Sequence, residues 1–248
     1  MIDYQASGGI ARITLNRPEK RNALNSALLE GLAEALKRSG EDESARVVVI
    51  GGAGQDFCAG MDIVMLRETA EAGVLEHLES ARKLADLYSA MRHHRLPVVA
   101  AVRGRALGGG CGLATACDVV LAAESAQFGY PEVNIGFVPA IVTSLLRRSV
   151  GEKQAFELLT RGEPVGAAEA CRMGLITRVY PDAEFESGIA AYAGALADKP
   201  ASAIGLTKRL LHHIDGLPFQ AALEAGVEIN ALARMTEDAR RGFRGFGK

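Results

Sequence analysis

The residues best suited to chemistry are a glycine run, Gly108, Gly109 and Gly110, and one carboxylate further on, Glu132. Without Cβ atoms the chain turns sharply at such a run, and a ligand can come close to its peptide N–H groups. The small residues that follow, Cys111, Leu113, Ala114 and Ala116, continue as a buried helix whose first N–H groups are unpaired and favour negative charge. That outlines a site for an anion or an oxyanion. The same glycines also serve as a packing turn between strand and helix backbones, and on glycines alone both readings stay open. Glu132 sits directly after Pro131 and before the apolar Val133-Asn-Ile-Gly-Phe-Val138. Apolar surroundings disfavour its charged form and move its pKa toward the range of a general base. A water-facing loop carboxylate is the other reading.

Competing chemistries fail on spacing. The loop Gly51–Phe57 follows a strand, yet it completes no G-x-G-x-x-G, and neither does Gly108–Gly112; the chain holds no G-x-x-x-x-G-K-[ST] and no G-x-S-x-G. Cys58, Cys111, Cys117 and Cys171 form no C-x-x-C pair and read as buried thiols, which leaves no metal site and no disulfide scaffold. His77, His93, His94, His212 and His213 read as surface or boundary residues.

The elements that hold the glycines and Glu132 follow from pattern. Val98–Val102 and Asp118–Ala122 are continuous apolar runs, as in strands covered on both faces, with the glycine turn and its helix between them. Ile10–Leu15 alternates as a half-exposed strand, Asn25 or Ser26 caps a helix stopped by Gly40, and Val47–Ile50 is a second buried strand. A helix spans Glu68–Met91, interrupted at Gly73, with Leu75, Leu78, Leu84, Leu87 and Met91 as its stripe. Pro139 opens a helix to about Val150, helices cover Glu152–Arg161 and Ala167–Met173, and Leu175–Tyr180 returns as a strand. Helices then fill Phe185–Asp198, Ala201–Ile214, Pro218–Arg234 and Thr236–Phe246, with more apolar surface than hairpins can hide.

Composition bounds the rest. With 48% hydrophobic and 23% charged residues, 248 residues bury a sizeable core. A net charge of −2 supplies no global basic field for nucleic acid. No apolar run nears the roughly 18 residues of a membrane span. The N-terminal Met1-Ile-Asp-Tyr-Gln-Ala-Ser7 has no targeting pattern, so a cytoplasmic protein is expected.

Four segments in one order resemble the crotonase superfamily of enoyl-CoA hydratases and isomerases: Ile13–Asn25, Phe57-Cys-Ala-Gly-Met-Asp-Ile63, Ala106-Leu-Gly-Gly-Gly-Cys-Gly-Leu113 and Phe128-Gly-Tyr-Pro-Glu132. The resemblance runs through nearly the whole chain. It implies an α/β fold, a spiral of strand-strand-helix turns over residues 1–181, followed by a helical oligomerisation region over 182–248 that forms a trimer or a dimer of trimers. It implies an acyl-CoA thioester as substrate, coenzyme A being part of that substrate, and no other cofactor. By position, the backbone N–H groups of Met61 and Gly109 form the oxyanion hole, and Glu132 is the catalytic acid–base. Arg21, Ala23, Ala59, Gly60, Asp62, Ile63, Gly108, Pro131 and Ala140 match segments that line the CoA ester, although Asp62 also suits an N-cap.

The chain departs from the family at Gly112, where hydratases usually carry a second glutamate. A lone carboxylate fits the isomerases, which move a proton between Cα and Cγ. It also fits a hydratase subgroup resembling methylglutaconyl-CoA hydratases, to which Phe137-Val-Pro-Ala-Ile141 adds a longer likeness. Hydration is therefore the expected activity, isomerisation the alternative, and a non-catalytic acyl-CoA-binding trimer a third reading. A glutamate restored at Gly112 would speed hydration wherever the backbone admits a side chain. Val64–Glu68, Leu84–Tyr88 and Ala140–Ser144 are expected to shape the acyl pocket.

Overall fold

The computed structural model describes residues 1–245. A hairpin of β1 (Ile2–Ser7) and β2 (Ile10–Leu15) leads through α1 (Ser26–Glu41) to β3 (Val47–Gly52). Then come α2 (Ile63–Glu68), α3 (Val74–His93), β4 (Val98–Val102), β5 (Arg105–Leu107), α4 (Gly109–Ala116), β6 (Val119–Ala123) and β7 (Gln127–Gly129). A 3-10 turn over Pro131–Ile135 precedes α5 (Ala140–Ser149), α6 (Glu152–Arg161), β8 (Val165–Gly166), α7 (Ala167–Arg172) and β9 (Arg178–Tyr180). The described chain closes with α8 (Phe185–Ala197), α9 (Ala201–His213), α10 (Phe219–Met235) and α11 (Glu237–Gly245).

Six strands form the main sheet in the order β1-β2-β3-β4-β6-β9, antiparallel at the hairpin and parallel beyond it. A smaller sheet, β5-β7-β8, stands beside it, and the isolated bridges Leu24↔Met61 and Cys58↔Ala106 continue its line of pairing. Successive turns of the chain thus give one strand to the main sheet, one short extended segment to the second layer, then a helix. This is the expected spiral.

Strand alternation sorts the core into two layers. Val48, Ile50, Val98, Ala100, Val102, Val120 and Ala122 point into the large core beneath α1, α3, α4 and α5. Val47, Val49, Val99, Ala101, Leu121 and Ala123 point the other way, onto Phe185, Ile189 and Ala193 of α8. Both faces are covered, which is why these strands read as unbroken apolar runs. Lys208 of α9, 7% exposed, donates to the Met91 and Leu96 carbonyls and to Asp118 at 2.7 Å, fastening the later helices to the spiral.

Several boundaries differ from the sequence pattern. The Asn25 side chain caps α1 by accepting from Leu28 N, as expected, but α1 passes Gly40 and ends at Glu41. The helix expected from Glu68 begins at Val74, and Leu75 and Leu78 are exposed; only Leu84, Leu87 and Met91 of its stripe are buried, joined by Tyr88. Pro139 is the N-cap of α5 rather than its first residue. Only Arg178–Tyr180 of the last expected strand pairs, since Leu175 and Ile176 fill the core from a turn. The end of the last expected helix, Phe246, lies outside the described residues.

Candidate active site

The short strands of the second layer bring the site together. Leu107 pairs with Gly129 in the β5–β7 ladder, and Gly108 N donates to the Gly129 carbonyl at 2.8 Å. Residues on either side of that ladder, the glycine turn and the 3-10 turn with Glu132, therefore leave it side by side. Gly108 has φ 51° and ψ −123°, a conformation that suits only glycine. A β-carbon there would lie 2.8 Å from Glu132 Oε1, so the carboxylate rests directly over this bare Cα.

Tyr130, fully buried, has its hydroxyl 3.4 Å from Thr115 Oγ1 on α4, and Asn134 donates to the Gly162 carbonyl at 2.9 Å, so the turn with Glu132 is tied at both ends. Glu132 Oε2 is buried without a hydrogen-bond partner among the described residues. Desolvation accordingly raises its pKa above the usual 4.5. That is the environment expected of a proton acceptor for Oε2, although the residue as a whole is only partly covered.

The third wall comes from residues 57–63. Leu24 N donates to the Gly60 carbonyl and Asp62 N to the Leu24 carbonyl, so one edge of this segment is used on Leu24. The Met61 N–H lies on the opposite edge, the side of Leu107 and Gly109, with no acceptor among the described residues. Gly109 is the first residue of α4, and its N–H likewise has no acceptor there, as helix geometry dictates. Gly60 (φ 97°) allows the close passage, since a β-carbon would meet the Leu107 carbonyl at 2.9 Å. Two free N–H groups and one unpartnered carboxylate oxygen thus converge around the start of α4.

Other expected residues join this cluster. Ala59 N donates to the Arg21 carbonyl, so Arg21 and Ala23 run beside Ala59, Gly60 and Asp62. Asp62 is indeed an N-cap, accepting from Val64 N, and it also binds the Arg17 guanidinium at 2.6 Å, which holds its carboxyl below the usual range. Ile63 is exposed at the opening of α2, Pro131 is half-buried beside Glu132, and Ala140 is exposed at the start of α5. α5 reaches the site instead through buried Val142.

Sequence reasoning missed Arg17 and Asn22. Asn22 is fully buried at φ 55°, accepts from Arg17 N and donates to the Ala53 and Asp56 carbonyls, clamping two loops against each other. Their signal was present in Asn16-Arg-Pro-Glu-Lys-Arg-Asn22, but nothing in it names partners on distant loops. The thiols stay out of the chemistry, since burial pushes Cys58 up to about 12 and Cys111 to about 11. A hollow of about 820 Å³ lies elsewhere, between α3, α9 and α10. It is lined by no carboxylate, and its Lys208 and Arg95 are already bonded to protein carbonyls.

Comparison with known proteins agrees with this geometry. The family model described as enoyl-CoA hydratase/isomerase matches residues 5–247. The 2,3-dehydroadipyl-CoA hydratase of Escherichia coli is 39% identical over 240 residues, covering 94% of this chain and 90% of its own. Crystal structures of enoyl-CoA hydratases from Mycobacterium smegmatis (32% identity, TM-score 0.94) and Bacillus anthracis (31%, TM-score 0.92) each cover 99% of this chain and 95% of theirs. No helix among the described residues is long and apolar enough to cross a membrane. The chain belongs to the enoyl-CoA hydratase/isomerase family.

Proposed function

We propose that this protein adds water across the double bond of a 2-enoyl-CoA, with Glu132 as its sole protein acid–base. The thioester oxygen accepts from the N–H groups of Met61 and Gly109 as the carbonyl gains enolate character. Glu132 takes a proton from water, the hydroxyl adds to Cβ, and the same carboxyl returns the proton to Cα, so one group suffices for both transfers. Coenzyme A enters as part of the substrate, along the edge of Arg21, Ala23, Ala59, Gly60, Asp62 and Ile63, and no further cofactor takes part. The observation that carries the reading is the unpartnered, desolvated Oε2 of Glu132 beside two free backbone donors.

Isomerisation of a 3-enoyl-CoA uses the same enolate and the same lone carboxylate, and Gly112 favours it as the second reading. The longer likeness in Phe137–Ile141, and the relative named 2,3-dehydroadipyl-CoA hydratase, favour hydration. Purified protein assayed side by side on crotonyl-CoA, methylglutaconyl-CoA and a 3-enoyl-CoA decides. Hydration of one of the first two is expected, and double-bond migration without hydration would replace the proposal.

The proposed working unit is a trimer or a dimer of trimers built through residues 182–248. Leu211, Phe219, Leu223, Val227, Leu232, Met235 and Phe243 are all exposed on these helices, and such a face calls for a partner. Light scattering at micromolar concentration should give three or six chains, and a stable monomer would rule this out.

A further inference from the structure

The first turn of α4 lacks any side chain of its own to hold it. Its cap and first two residues are Gly108, Gly109 and Gly110, the loosest backbone available. An N–H that is to meet developing charge needs a fixed direction, because preorganisation is what makes such donors effective. The peptide that carries the Gly109 N–H is held through the Gly108 carbonyl, which accepts from Gly112 N at 3.0 Å, and the peptide before it by Gly108 N donating to Gly129. The peptide after Gly109 is held from α3: the Tyr88 hydroxyl donates to the Gly109 carbonyl at 2.6 Å.

Tyr88 is 2% exposed, and burial keeps its phenol neutral and therefore a donor. Its ring stands where a side chain on residue 112 would go. A β-carbon on Gly112 would lie 2.7 Å from the Tyr88 hydroxyl oxygen and 2.3 Å from Val142 Cγ1. The space next to the site that a second carboxylate would need is thus occupied by Tyr88 and Val142.

We propose that Tyr88 is a positioning residue of this site, its hydroxyl holding the Gly109 carbonyl and through it the orientation of the first turn of α4, whose Gly109 N–H is aimed at the thioester oxygen. The role rests on the acyl-CoA reading above. In this role Tyr88 acts through the backbone of α4.

Tyr88→Phe keeps the ring and removes the bond. Turnover should fall roughly ten- to a hundredfold, less than the hundred- to thousandfold of losing an oxyanion donor outright. KM for the CoA ester should change less than about twofold, as for an interaction that strengthens only in the transition state. The discriminating readout is the absorption of a bound para-amino-substituted cinnamoyl-CoA, which moves to longer wavelength as its carbonyl is polarised. That red shift should shrink in Tyr88→Phe. It should persist in Leu87→Ala, which loosens the same helix without touching Gly109. If Tyr88→Phe does not fold, 3-fluorotyrosine installed at position 88, a stronger donor of nearly the same size, should enlarge the shift. An unchanged shift and turnover in a folded Tyr88 variant overturns the role while leaving the acyl-CoA reading intact. Absence of any red shift in the wild-type protein overturns both.

Discussion

Replacing Glu132 by Gln should damage the reaction and improve the fold. Its Oε2 is buried and unpartnered, while the residue as a whole is only partly covered. Gln still places an uncharged amide atom at the sealed position, so only the extra cost of the charge is relieved, about 1 kcal/mol, the low end of the roughly 1–3 kcal/mol of an unpartnered buried group. For a chain of this length that corresponds to a Tm higher by about 2–4 °C in the variant near neutral pH. The sign follows from linkage. The folded-state pKa of Glu132 is raised above the 4.5 of the exposed group, so the folded protein binds this proton more tightly than the unfolded chain. Its contribution is fully present below pH 4.5 and is lost as pH rises through the elevated value. The advantage of Gln should therefore be largest at neutral pH and vanish toward pH 4.5. Turnover in the same variant should fall roughly a hundred- to ten-thousandfold with CoA-ester affinity little changed. Paired thermal melts at matched protomer concentration, with initial rates on the best substrate of the panel, test both halves. Near-normal turnover, or a variant less stable than wild type at neutral pH, would refute the reasoning.

Gly109→Val should abolish most turnover, by roughly a hundred- to a thousandfold, while circular dichroism stays native. A single β-carbon there already meets Leu24 Cδ1 at 3.3 Å and Met61 Cγ at 3.7 Å, and the extra methyls enter the space between the two free N–H groups. Gly112→Glu should not gain hydration activity, contrary to the expectation from sequence. It must displace Val142 and Tyr88, and should lower stability by about 1–3 kcal/mol or more in denaturant titrations. Lys208→Met should cost about 1–3 kcal/mol by taking the donor from the Met91 and Leu96 carbonyls, read as a lower unfolding midpoint in denaturant titrations.

The main sheet and most helices were legible because burial on both faces writes long apolar runs and helix faces into the chain. Val98–Val102 and Glu152–Arg161 fall where the pattern sets them. The second layer was not legible: β5, β7 and β8 span only two or three residues each, too short for any periodicity to register. Yet that layer is what joins Gly108 to Glu132. The pattern carries α3 back to Glu68, whereas the chain breaks after Glu68 and α3 begins at Val74, with Leu75 and Leu78 in the helix but facing away from the core. The apolar neighbours Val133, Ile135, Phe137 and Val138 that suggest burial of Glu132 are themselves exposed, and its carboxylate is covered instead by the Gly108 turn; the Arg17–Asp62 pair joins loops 45 residues apart. Tyr88 fell within a segment expected to shape the pocket, but only packing reveals its hydrogen bond to Gly109.

The crowding at Gly112 also bears on how such a chain could change over generations. Gaining a second carboxylate is not one mutational step here: Tyr88 and Val142 would both have to shrink, and shrinking either alone opens a void beside the glycine turn. Removing the tyrosine first would also take away the hydroxyl that bonds the Gly109 carbonyl. The two kinds of site are therefore separated by a fitness valley, with strong sign epistasis among positions 88, 112 and 142. A library that varies these three positions jointly should find routes across it that single substitutions miss.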